Sequence, residues 1–205
     1  MSKLHFAPSE TQSESRRIRR MLQDGLVTKL ANGLYFEDDG EPVETVLQRE
    51  WASVVGFLVE GGVVADRTAL EGKPIRNPVS GTMVVFVSAD RSRWTYSLPG
   101  LEINVRNGKG PLPGDIPYRG THLASVERKF LENLAPSRAK GGIARTVGQE
   151  EVEKQLDRIC QHSGAEALNR IRDSAREVSR SLGLEKEFKV LDGIIGSLLR
   201  TKTAK

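Results

Sequence analysis

Cysteine is almost missing from this chain. Cys160 stands alone among 205 residues, so no internal disulfide can form, and a reducing, cytoplasmic compartment is expected. Its helical neighbours are apolar, so Cys160 reads as a small core side chain. Histidine is sparse as well: His5, His122 and His162 are far apart, with no second histidine at helical spacing. With a single thiol beside them, no zinc site is expected, and the reading includes no metal and no cofactor. Long apolar runs are absent. Nothing approaches the ~20 residues of a membrane-spanning helix, and no signal peptide opens the chain. The catalytic signatures are missing too. There is no G-x-S-x-G elbow, no Gly-Lys-Ser/Thr loop and no G-x-G-x-x-G after a strand. Glu150, Glu151 and Glu153 open a helix, where carboxylates suit the dipole. The chain is therefore expected not to be an enzyme.

Bulk charge is also modest. Lys+Arg 31 against Asp+Glu 27 leaves a net charge of +4. That balance permits a polyanionic partner without demanding one, so local patches must carry the argument.

One such patch lies between Ser15 and Glu37. Ile18, Met21 and Leu22 recur at helical spacing and predict one apolar face. Arg16, Arg17, Arg19 and Arg20 crowd the other faces. Gly25 suits a helix stop, since glycine takes the left-handed cap cheaply. Val27, Leu30, Leu34 and Phe36 then bracket Asn32-Gly33, a pair that predicts a hairpin with a type I′ turn. A basic helix running into a tight ribbon is the rear half of a winged helix-turn-helix. Arginine neutralises phosphate and can fork onto guanine. Lys29 would meet phosphate from the wing, and Tyr35 would pack it. Arg16, Arg17, Arg19, Arg20, Lys29 and Tyr35 are thus the candidate DNA-binding residues. The competing reading is a solvated basic face with no partner. A complete winged helix also has two helices ahead of the recognition helix. Here only Met1 to Ser15 precede it, a polar stretch with Pro8, of which Met1 to Ser13 is expected to be a flexible start.

The rest of the chain divides by pattern. Thr45 to Leu58 predicts one helix through Val46, Trp51, Val54, Val55 and Leu58. Val63 to Ala65 predicts a short strand, a brief helix opens at Asp66 or Arg67 and reaches Leu70, and residues 73–78 read as a loop. Thr82–Ser88, Arg93–Ser97 and Glu102–Arg106 predict a small antiparallel sheet turning at Leu98-Pro99-Gly100. Asn107 to Tyr118 reads as an ordered connector. A helix opening at Thr121 or Ser125 reaches Leu134 with Val126, Phe130, Leu131 and Leu134 inward. Residues 135–142 read as a linker. From Gln149 onward three helices punctuated by Gly164 and Gly183 predict a bundle, with a basic tail over 200–205. The expected class is α+β: a partial winged helix over 1–40, a sheet with helices over 41–135 and a helical bundle over 143–205.

Two resemblances sharpen this. The arginine-rich helix followed by Gly25-Leu26-Val27 and Asn32-Gly33-Leu34-Tyr35 resembles the winged N-terminal region of AbiEi-type antitoxins. These are transcriptional regulators of toxin–antitoxin pairs, and Gly33-Leu34-Tyr35 matches the family's G-hydrophobic-Y ending of the wing. Leu98-Pro99-Gly100, Gly108 to Asp115, Leu131 to Leu134 with Ser137-Arg138, Leu168 to Asp173 and Ile194 to Leu199 look like the region ahead of the catalytic domain in some bacterial Fic proteins. Those enzymes transfer AMP from ATP to protein hydroxyls through an H-P-F-x-[DE]-G-N-G-R loop. None of the three histidines here is followed by Pro-Phe, and the Ser/Thr-x-x-x-Glu-Gly/Asn inhibitory motif of Fic antitoxins is missing. The resemblances imply a DNA-binding antitoxin, with promoter DNA and a Fic-type or nucleotidyltransferase toxin as partners. A homodimer is a further option. The alternative is a protein-interaction module, the regulatory front end of a Fic-type system, docking through its Ile194-Ile195 to Leu198-Leu199 face without binding DNA.

Overall fold

The computed structural model describes residues 4–8, 12–137 and 143–203. Parts of the expected start (1–3 and 9–11), linker (138–142) and tail (204–205) lie outside the described residues. The fold is α+β. Strand β1 (Leu4–Phe6), helix α1 (Gln12–Gln23), β2 (Val27–Ala31) and β3 (Leu34–Glu37) form the first unit. Its strands pair antiparallel in the order β1-β3-β2. The start is thus a strand where a flexible segment was expected. Three residues are too few for an alternating period to show, and β1 exists because β3 offers it an edge. The Asn32-Gly33 turn also departs from expectation. Only Gly33 has positive φ, at 76°, so the turn is not type I′. A bulge between Lys29 and Ala31 absorbs the mismatch. Gly33 is required for a second reason: a Cβ there would overlap the Ala7 carbonyl oxygen.

Two helices replace the single one expected next. α2 (Val43–Arg49) and α3 (Trp51–Leu58) are separated at Glu50, whose backbone leaves the helical region at φ −96°, ψ 16°. A larger sheet follows, built from β4 (Val63–Val64), β5 (Ile75–Arg76), β6 (Met83–Ala89), β7 (Trp94–Leu98), β8 (Leu101–Asn107), β9 (Ile116–Tyr118) and β10 (Thr121–Leu123), with α4 (Asp66–Glu71) inserted after β4. The order is β7-β8-β6-β4-β10-β9, with β5 on β6. β7 and β8 pair antiparallel about Pro99-Gly100, as the spacing predicts. β6 and β8 run parallel, so this sheet is mixed. The reason is topological: β7 reverses the chain, β8 reverses it again, and β8 returns beside β6 in the same direction. β5 and β9 emerge from segments expected to be loop. Thr121 to Leu123 is strand, so the next helix, α5 (Val126–Leu134), opens at Ser125, whose Oγ accepts from the Arg128 N–H at 3.3 Å. Val126 is 38% exposed and does not join the apolar stripe of Phe130 and Leu131.

The β9–β10 turn has the φ pattern of a type I′ turn. Tyr118 pairs with Thr121, and both residues between them have positive φ, Arg119 at 45° and Gly120 at 80°. The left-handed region costs an ordinary L-residue about 1–2 kcal/mol. Arg119 recovers little of that, because its ion pair with Glu50, at 3.4 Å, is half exposed. Arg119→Asn is therefore expected to raise stability by roughly 0.5–1 kcal/mol, read as a higher urea midpoint with an unchanged slope.

The bundle comprises α6 (Gln149–Leu182) and α7 (Glu185–Thr203). Gly164, at φ 77° and ψ 178°, divides α6 into two helical arms, and Gly183 ends it in the left-handed conformation. The three-helix expectation survives as two arms and α7. The Gly164 backbone lies where only glycine is at ease, and a Cβ there meets no neighbour. Gly164→Ala should thus lose about 1–3 kcal/mol through backbone strain alone, visible as a lower melting temperature with unchanged far-UV dichroism.

Among the described residues two large apolar clusters form the core, with a third, small one of Ile75, Val84, Phe86 and Ile143. One joins Leu4, Leu34 and Phe36 to Val46, Leu47, Val54 and Val55 and to the sheet residues Val85, Leu101 and Ile103. The other joins Leu70, Phe130 and Leu131 to Val152, Leu156, Cys160, Leu168, Leu191 and Ile195. Cys160 is core, at 1% exposure. Among the described residues no helix is long and apolar enough to cross a membrane.

Candidate nucleic-acid interface

Helix α1 lies against β2, with Ile18 and Met21 buried. Leu22, expected on the same face, is 39% exposed, so the buried stripe is narrower than its spacing suggests. Arg16, Arg17, Arg19 and Arg20 are all exposed. At 3.6 residues per turn they sweep about 160° of the helix, centred opposite Ile18 and Met21. Among the described residues none of the four forms an ion pair. The four guanidiniums are displayed to solvent together, at one end of a chain whose bulk charge is nearly balanced.

The ribbon beside them has two different faces. Leu34 and Phe36 point into the core. Lys29, Tyr35 and His5 are Cα partners across the three strands, so they share the opposite face. Lys29 is exposed and Tyr35 partly buried. His5 Nε2 meets Glu37 Oε2 at 2.8 Å. The structure thus brings Lys29 and Tyr35 together directly, while the arginines stand on the helix covering the same ribbon. Leu26, at 58% exposure, adds an apolar edge next to Leu22.

A second polar feature has no counterpart in the sequence reading. Three carboxylates and three guanidiniums interlock behind the larger sheet. Arg106 bridges Asp66 at 2.9 Å and Glu132 at 2.6 Å, and Arg145 meets the other Asp66 oxygen at 2.6 Å. Arg128, fully buried, binds Glu132 at 2.9 Å and Asp115 at 2.6 Å. Asp66 itself sits at φ 53°, and its N–H donates to Glu132 at 3.2 Å. Burial and then the Glu132 charge push the Asp66 carboxyl up, against the pull of Arg106 and Arg145. Only Arg128 and Glu132 are at helical spacing, so no sequence period could have gathered the six. The network borders a groove of about 1460 Å³ along β7 and β8, where Trp94, Asn104, Arg106 and Arg145 meet.

The histidines remain apart, and among the described residues no cluster of histidine, cysteine or carboxylate side chains could hold a metal ion. The Ile194-Ile195 face is not a free surface. Ile195 is fully buried, Ile194 is 6% exposed, and Leu198 and Leu199 pack on the same cluster.

No family model matches this chain, and no curated protein matches it. Among solved structures it is similar to a candidate nucleotidyltransferase from H. pylori, at 12% identity and a TM-score of 0.39, over 80% of this chain and 99% of that one. A likeness that slight bears on neither the fold nor the activity of this chain.

Proposed function

We propose that this chain is a non-enzymatic DNA-binding regulator, acting as the antitoxin of a toxin–antitoxin pair. One observation carries the DNA-binding part: Arg16, Arg17, Arg19 and Arg20 project from α1 with no ion-pair partner among the described residues, beside a ribbon that exposes Lys29. The pairing order β1-β3-β2 with α1 on β2 supports reading this unit as a partial winged helix. In this reading α1 enters the major groove, where arginine reads guanine. Lys29 and the tip of the ribbon meet the phosphates beside it, and Tyr35 holds the ribbon's outer face. The antitoxin role rests on the resemblance to AbiEi-type regulators, with a Fic-type or nucleotidyltransferase toxin as the partner. The docking alternative is weaker, because the apolar α7 face that motivates it is occupied by its own bundle.

A gel shift on the DNA upstream of the gene tests the reading, comparing the wild-type chain with one in which Arg16, Arg17, Arg19 and Arg20 are alanine. Loss of the shifted band with the fold intact is expected. An undiminished shift would remove α1 from the interface.

A further inference from the structure

A different basic site lies on the bundle side. A groove of about 500 Å³ separates α4, α5 and α6. Lys73, Lys129 and Arg158 line it, with Gln155 and Glu71. Glu71 is already engaged by Arg67, one helical turn away. Among the described residues none of the three cations has an ion-pair partner. Lys129 is the telling one. It is partly buried, its ammonium stands 5.8 Å from the centre of the Phe130 ring, and no carboxylate bonds to it. Burial lowers its affinity for a proton, and the more distant Glu127 charge only partly offsets that. A cation kept away from water beside two others, with the local carboxylate already paired, leaves the groove electropositive. The helices that carry it are held by the core beneath, where Leu70, Phe130 and Leu156 pack together, while the Lys73 and Arg158 side chains are exposed.

We propose that this groove binds the phosphate chain of a small polyphosphate, either inorganic or carried by a nucleotide. Three cations lining one groove suit two or three linked phosphoryl groups better than one. Phe130 is fully buried, so the groove offers no exposed ring for a base to stack on. Recognition falls on the phosphates, and the lysines and Arg158 supply the charge-assisted bonds.

Calorimetric titration at low ionic strength tests this, with sodium triphosphate, ATP and orthophosphate as separate probes. Triphosphate should bind the full chain with one site, and orthophosphate at least about 10-fold more weakly. ATP binding as tightly as triphosphate points to the chain alone as the determinant; tighter binding assigns the site to nucleotides. Lys129→Gln and Arg158→Gln should each weaken triphosphate at least about 10-fold, about 1.4 kcal/mol, with unchanged melting temperatures. Replacing the four α1 arginines should leave this binding as it was. Absence of heat, or equal binding by the glutamine variants, overturns the proposal. So does loss of binding only in the α1 variant. Displacement of triphosphate by duplex DNA from that α1 variant would make the groove a nucleic-acid contact and also overturn it.

Discussion

Replacing Arg128 with methionine is expected to lower the unfolding free energy by about 3–5 kcal/mol, because it leaves the buried Asp115 carboxylate without its counter-charge. The side chain is fully buried and almost every N–H is used. Nε donates to Glu132 at 2.9 Å. Nη1 donates to Asp115 at 2.6 Å and to the Gly110 carbonyl at 2.9 Å, and Nη2 donates to the Lys109 carbonyl at 2.8 Å. The two carbonyls belong to the glycine- and proline-rich connector, so Arg128 fastens that loop to α5. Methionine preserves much of the volume but strands Asp115, whose side chain has no exposure. Lysine keeps the charge but cannot fork, so Arg128→Lys should recover only a minor part. Adding Asp115→Asn to Arg128→Met should recover more, because it removes the stranded charge. Urea unfolding measures all three. A change below about 1 kcal/mol for Arg128→Met would show that water already reaches the carboxylates.

The second large effect is ionic. If Arg16, Arg17, Arg19 and Arg20 each neutralise one phosphate, the slope of log affinity against log salt should be shallower by about 3.6 in the quadruple alanine variant. Between 50 and 200 mM salt that slope alone accounts for a loss of roughly 100-fold in the wild-type chain. A Lys29→Ala change should remove about one further unit and weaken all sequences alike, as phosphate contacts do. An arginine that reads guanine behaves differently: its removal relaxes preference at one position by about 1–3 kcal/mol. Fluorescence anisotropy with labelled duplexes over a salt series separates the two roles. Equal slopes for the wild-type and quadruple variants would leave the α1 face as merely solvated.

Long periodic segments announced themselves. The arms of α6, the α7 stripe, β6 and the β7–β8 hairpin follow from apolar spacing and turn residues, since each buries one face of a regular element. Elements that depend on a distant partner did not. β1 and β9 have three residues each and β5 has two, and each is a strand only because a neighbour presents an unpaired edge. Glu50 separates α2 from α3 by its backbone conformation alone, which leaves no mark in the apolar spacing, and both helices bury residues in the same cluster. In the candidate interface, the arginines were visible because they are contiguous. Their lack of ion-pair partners was not, since partners across space leave no trace in spacing. For the same reason nothing in the spacing gathers Asp66, Arg106, Asp115, Arg128, Glu132 and Arg145.

The apolar cluster that holds Leu34 and Phe36 extends to Val85 and Ile103, which has a practical consequence for cutting the molecule apart. Excising the first forty residues would unroof Val46, Leu47 and Val54, and the severed piece would carry its own raw hydrocarbon side. Neither half would stay monomeric in a test tube. The ribbon is best regarded as riveted to the larger sheet, so grafting it with the basic helix onto another scaffold calls for rebuilding that seam as well.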